Sequence, residues 1–170
     1  MKNVDLTAAG EIGRILQRID KEWMLLTAGT PDNLNTMTAS WGGIGVLWGR
    51  PMATIFVRPE RYTYQFVEEQ DYFSIAFFPP EQKTNLTLCG SKSGRDIDKV
   101  QACNFTVASG ETGGVYFKEA DLALICRKLY RAPMEFTNMQ NFTPADFYSD
   151  KPGGGLHTIY MGEIVEIINK

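Results

Sequence analysis

The chain is 170 residues long, 44% hydrophobic and 22% charged, ordinary values for a globular protein with a substantial core. Its 17 Lys and Arg against 20 Asp and Glu leave a net charge of -3. A mildly acidic chain without basic clusters is a poor candidate for general nucleic-acid binding, because phosphate neutralisation needs a positive surface. No stretch approaches the roughly 20 apolar residues of a membrane span, and no signal-peptide pattern opens the chain. One cytoplasmic domain over residues 1–170 is expected, without membrane contact.

In chain order, residues 8–20 read as a short helix weakened by Gly10 and Gly13. Strands are predicted at 23–28, 34–41 and 51–57, with a turn at 29–33. Pro59 then opens a helix to about Gln70, because proline suits a first-turn position. Residues 71–78 form a further strand and 81–88 a helix. Ser93 and Asp96 fit a capping box leading into a helix at 97–102. Strands follow at 105–108, 114–117, 120–131 and 156–168. A loop of about two dozen residues precedes the last one, with a helical turn at 143–146. Loops this long in compact domains are usually functional covers or disordered. Here Phe136, Phe142, Phe147 and Tyr148 argue for packing. Many strands with short turns and few helices predict a mainly β fold, a small barrel with helical inserts.

Alternation along a strand puts Thr36, Thr38 and Ser40 on one face, and Asn35, Met37, Ala39 and Trp41 on the other. Three hydroxyls on one face can donate to phosphate and sugar-alcohol oxygens; a solvent-facing threonine strand is the plainer alternative. Arg58 ends an apolar strand just before Pro59, where a helix N-terminus and a guanidinium would favour an anion. Tyr62 and Thr63 add hydroxyls there. An ordinary ion pair is the competing role for Arg58. Together these residues suit a ligand with a phosphate at one end and a flat ring at the other.

Other motifs fall short. The segment 90–96 (GSKSGRD) lacks the phosphate-loop spacing, and Gly43-Ile44-Gly45 lacks the dinucleotide fingerprint. Lys92 and Arg95 remain able to approach a ligand or a partner subunit. His157 is the one histidine, so no multi-histidine metal site is expected. Its two readings are a structural imidazole, or contact with a redox ring and proton delivery. Cys89, Cys103 and Cys126 form no C-x-x-C and read as buried free thiols.

Four segments in register, 35–41 (NTMTASW), 58–63 (RPERYT), 93–99 (SGRDIDK) and 157–163 (HTIYMGE), resemble the flavin reductase-like proteins, specifically the flavoredoxin type. The resemblance spans about residues 23–168. It implies a split β-barrel binding FMN noncovalently, usually as a homodimer with the flavin near the subunit interface. By motif match, Asn35, Thr36, Met37, Thr38, Ser40 and Trp41 would line the ribityl chain, phosphate and ring. Arg58, Tyr62 and Thr63 would hold the phosphate region, with Ser91, Lys92 and Ser93 nearby. His157 matches a position near the nicotinamide in some relatives. The implied activity is NAD(P)H-dependent flavin reduction, with NADH or NADPH as transient reductant and free flavin or a protein as electron acceptor. The alternatives are a flavoredoxin-like carrier not reduced by NAD(P)H, and a split barrel that binds flavin, haem or a pyridoxine phosphate without turnover.

Overall fold

The computed structural model describes residues 10–141, 145, 147, 148 and 155–170. Its main element is a seven-stranded antiparallel sheet in the order β2-β1-β5-β8-β9-β4-β3. The strands are β1 (Met24–Thr30), β2 (Asn33–Ala39), β3 (Gly42–Leu47), β4 (Arg50–Val57), β5 (Tyr72–Phe77), β8 (Leu122–Pro133) and β9 (Thr158–Asn169). A small ribbon pairs β6 (Val107–Ser109) with β7 (Val115–Phe117).

β2 and β3 lie at opposite edges of this sheet, yet only Ser40 and Trp41 separate them in the chain. The sheet must therefore curl until its two edges meet. This is the mainly β, split-barrel architecture expected from the sequence. At the seam a Cβ on Gly42 would lie 2.8 Å from the Thr54 carbonyl oxygen and 3.0 Å from the Met24 methyl. A glycine lets the β1 and β4 sides close there.

Alternation sorts the strand residues into two cores. The barrel interior holds Met24, Leu26, Met37, Ile55, Phe73 and Tyr160, plugged by Phe66 and Val67 of α2 (Thr63–Glu69). The outer face of β1, β5 and β8 is apolar as well. Leu25, Ala76 and Ala123 pack there against Leu86 and Cys89 of α3 (Lys83–Ser91), and against Phe105 and Phe117. Both faces of β1 are thus covered, which explains its nearly continuous apolar run.

Several boundaries differ from the sequence reading. β3 was not foreseen. The first helix, α1 (Gly10–Gln17), continues as a π-helical turn over Arg18–Glu22, held by Lys83, whose ammonium donates to the Lys21 carbonyl at 2.7 Å and sits over the Trp23 ring. Residues 59–62 form a turn, so α2 begins four residues later than Pro59 suggested. The cap of α4 (Lys99–Ala102) is Asp98, which accepts from the Gln101 amide at 3.0 Å; the Ser93 hydroxyl accepts from the Arg95 amide instead. Phe142, and the turn at 143–146 apart from Ala145, lie outside the described residues.

Gly42→Ala is expected to lower stability by about 1–3 kcal/mol, the usual cost of overpacking. An unchanged denaturation midpoint would contradict the closure at this seam.

Candidate functional site

The seam opens onto a groove made of two adjoining cavities. The larger, about 510 Å³, is lined by Met37, Thr38, Ser40, Trp41, Phe56, Arg58 and His157, among others. The smaller, about 210 Å³, is lined by Asn35, Tyr62, Thr63, Ser91, Lys92, Ser93, Arg95 and Lys99. Met37, Glu60 and Arg61 belong to both and join them. Eleven of the twelve residues expected to hold the cofactor line this groove, as does His157.

Thr36 is the exception. It is fully buried beneath the outer layer; its hydroxyl donates to the Leu26 carbonyl at 3.2 Å and accepts from Thr27 at 2.9 Å. Thr38 shares its face but reaches the groove, with its hydroxyl donating to the Leu86 carbonyl. The expected solvent-facing alternative for these threonines is excluded, because α3 packs on that face. Asn35, on the other face, donates through Nδ2 to Thr63 at 2.7 Å and ties β2 to α2.

Arg58 lies with the aromatic residues, apart from Tyr62 and Thr63. Its guanidinium donates to the Phe147 carbonyl at 3.2 Å and sits 5.3 Å from the Tyr148 ring centre. The helix N-terminus proposed beside Arg58 is absent, since α2 starts only at Thr63. The smaller cavity gathers other cations. Arg61 donates to the Gly90 carbonyl at 3.2 Å, and Arg95 donates to the Glu60 carbonyl at 3.3 Å while lying over the Tyr62 ring. Lys99 is only 6% exposed; its ammonium donates to the Thr36 and Cys89 carbonyls at 2.7 and 2.8 Å. Burial pushes that ammonium below its ordinary value. Arg61, Arg95 and Lys99 are not among the residues expected to hold the cofactor, although all three fall inside segments that carry the family resemblance and Arg95 is read there as able to approach a ligand.

The aromatic end centres on His157. Its ring centre lies 5.2 Å from that of Trp41, and Nδ1 is 3.0 Å from the Tyr148 hydroxyl. Burial, with the nearby Arg58 charge adding to it, pushes the imidazole down to about 4. The ring is therefore neutral near pH 7. Tyr148 and Phe147 pack at this end, Tyr148 against His157 and Phe147 edge-on to Trp41 at 6.0 Å.

Among the described residues, no group of three or more His, Cys, Asp or Glu could hold a metal ion, and no helix is long and apolar enough to cross a membrane. The three cysteines are buried free thiols, with the Cys89 and Cys103 sulfurs 3.7 Å apart.

Residues 16–170 match the family model described as the flavin reductase like domain, and the chain belongs to that family. Among solved structures it is similar to flavoredoxin from Methanosarcina acetivorans, with 25% identity and a TM-score of 0.67 over 88% of this chain and 68% of that one. An FMN-binding protein from Thermus thermophilus, solved with bound p-hydroxybenzaldehyde, has 22% identity and a TM-score of 0.66 over 87% of this chain and 71% of that one. An NADH:FAD oxidoreductase from Streptomyces globisporus has 17% identity and a TM-score of 0.64, covering 100% of this chain and 87% of that one. The last two likenesses concern the fold alone. None of the curated proteins matches the chain.

The His157 imidazole is expected to remain neutral in NMR titrations down to about pH 5, since its value is pushed down from 6.5 to about 4. The unfolded chain takes up this proton near the ordinary value while the folded chain does not. Stability should therefore fall as pH drops from 6.5 towards 4. A folded-state midpoint near 6.5 would contradict the buried placement.

Proposed function

We propose that the groove binds FMN noncovalently and that the protein is an NAD(P)H-dependent flavin reductase. The observation that carries this reading is the gradient along one continuous groove. Most of the cations and hydroxyls gather at the end formed by Arg61, Tyr62, Ser91, Lys92, Ser93, Arg95 and Lys99, and flat rings gather at the end formed by Trp41, Phe56 and His157, with Arg58 beside them. The donor set fits a phosphate monoester at the first end, where charged hydrogen bonds are strongest. A Cβ on Gly94 would lie 1.9 Å from Asn35 Oδ1, so the loop backbone closes directly against the wall of the smaller cavity.

Bound FMN would supply the hydride and electron chemistry, with protein groups providing orientation and electrostatics. Arg61, Lys92, Arg95 and Lys99 would neutralise the phosphate. Ser40 and Thr38 would meet the ribityl chain, and Trp41 and His157 the ring. Tyr148 occupies His157 Nδ1, which leaves Nε2 to meet the ligand. A neutral imidazole can donate or accept a hydrogen bond there without placing a second positive charge beside Arg58. Phe147, Tyr148 and Trp41 would limit water at this end.

The likeness to a flavoredoxin at 25% identity favours a second reading, an electron carrier that exchanges electrons with a protein partner. Anaerobic addition of NADH or NADPH separates the two. Rapid bleaching of the yellow protein supports the reductase; persistence of the colour with both nucleotides contradicts it and supports the carrier.

Arg61→Ala is expected to weaken FMN affinity by about 1.5–3 kcal/mol, the worth of a charged hydrogen bond. An unchanged titration would remove Arg61 from the phosphate end. We further propose a homodimer assembled on the β3–β4 hairpin, where Ile44, Val46 and Trp48 are 37%, 78% and 64% exposed. A polar residue on such an apolar patch should oppose association. Light scattering is expected to give a dimer for the parent chain and a monomer for Val46→Asp. A monomeric parent chain would contradict the proposal.

A further inference from the structure

A separate cavity of about 320 Å³ lies where α1 and its π-helical turn meet the start of α3, and it shares no lining residue with the groove. Four cations stand around it: Arg14, Arg18, Lys21 and Lys83. Glu22 and Asp121 are its two carboxylates, so a surplus of positive charge remains. The rest of the lining is apolar, from Phe78, Pro79, Pro80 and Leu86. Its volume lies near the lower end of the range of about 300–1,000 Å³ typical of ligand sites.

Two features set this place apart from a cluster of solvated charges. The first is Arg18, whose side chain is only 21% exposed and whose guanidinium lies 4.7 Å from the centre of the Phe77 ring. Its Nε is buried and has no hydrogen-bond partner among the described residues. Glu22 Oε2 approaches it to 3.6 Å, beyond hydrogen-bonding reach, and the other Glu22 oxygen is taken by Arg14. A buried donor on a charged group is costly to leave without an acceptor. The second feature is the backbone. Arg18–Glu22 form a π-helical turn, and Trp23 after it has a φ of +72°, a left-handed conformation that residues other than glycine seldom adopt. Such costly conformations collect at binding sites. Here they carry Arg18, Lys21 and Glu22, three of the cavity's charged residues.

The edge of a guanidinium presents two parallel N–H groups, which match the two oxygens of a carboxylate. Glu22 and Asp121 oppose a doubly charged head more strongly than a singly charged one, and the apolar lining suits an apolar body. We infer that this cavity binds a small organic carboxylate, with its charged head on Arg18 and Arg14 and its apolar body against Phe78, Pro79, Pro80 and Leu86. The site stands independently of the FMN reading of the groove.

The test is an NMR titration of the full chain with sodium benzoate, with benzyl alcohol as the uncharged counterpart and phenyl phosphate as the more highly charged one. Benzoate is expected to give saturable amide shifts at residues 18–23, 83–86 and 121. Benzyl alcohol should leave these amides unmoved, and phenyl phosphate should bind more weakly than benzoate. Arg18→Leu, which keeps an apolar side chain beside Phe77, is expected to weaken benzoate roughly tenfold or more through loss of a charged hydrogen bond. If that variant does not fold, the three ligands on the parent chain decide. The site is overturned by an absence of saturable shifts at these residues, by shifts confined to Arg61 and Arg95 of the groove, or by equal shifts from benzyl alcohol. Undiminished benzoate binding in Arg18→Leu overturns the role of Arg18, and tighter binding of phenyl phosphate overturns the carboxylate head.

Discussion

Closure of the sheet by its own chain is the constraint on which the rest of this molecule depends. β2 and β3 occupy opposite edges, and two residues link them. The curl this forces brings the end of β2 beside the end of β4, because Gly42 pairs with Ile55 immediately after the link. Ser40 and Trp41 therefore stand next to Phe56 and Arg58. β9 pairs with β4 on the other side and delivers His157 just before its first paired residue, Thr158, to the same place. The groove is a product of topology, and its aromatic end sits where three strands come together.

Charge is then graded along the groove by burial. Lys99 is nearly inaccessible and braces β2 against the end of α3 through two carbonyls. An ammonium in such a place lacks water and gains by meeting an anion. At the opposite end burial and the Arg58 guanidinium together keep His157 uncharged. A ligand with an anionic tail and a neutral ring would satisfy both ends at once. One ion at either end would satisfy only half of the groove.

Much of this was legible in the sequence because it rests on local patterns. The alternation in 35–41 put Met37 and Thr36 on opposite faces, and the structure has Met37 in the barrel core and Thr36 bonded to Thr27 on the other side. What the alternation did not carry was the layer over the outer face. That layer depends on contacts between β2 and the distant α3, and the Thr36 hydroxyl beneath it is taken up by Leu26 and Thr27 of β1. β3 was invisible for a similar reason: Gly42-Gly43-Ile44-Gly45 has poor strand propensity, and its pairing with β4 makes it a strand. Pro59 misplaced the helix start, because the amide of Arg61 bonds back to the Arg58 carbonyl in a turn before α2 begins. That turn moved Arg58 to the aromatic end and brought Arg61 to the junction of the cavities. Arg61 and Arg95 stand inside the motif segments, yet a single arginine there carries no local signal that separates a ligand contact from a partner contact or a solvated surface charge.

The claim that one groove holds FMN from phosphate to ring is tested most directly by diffraction from crystals grown with FMN. The phosphate is expected among Arg61, Lys92 and Arg95, and the ring against Trp41 and His157. A flavin bound elsewhere, or a reversed orientation with the phosphate beside His157, would contradict it.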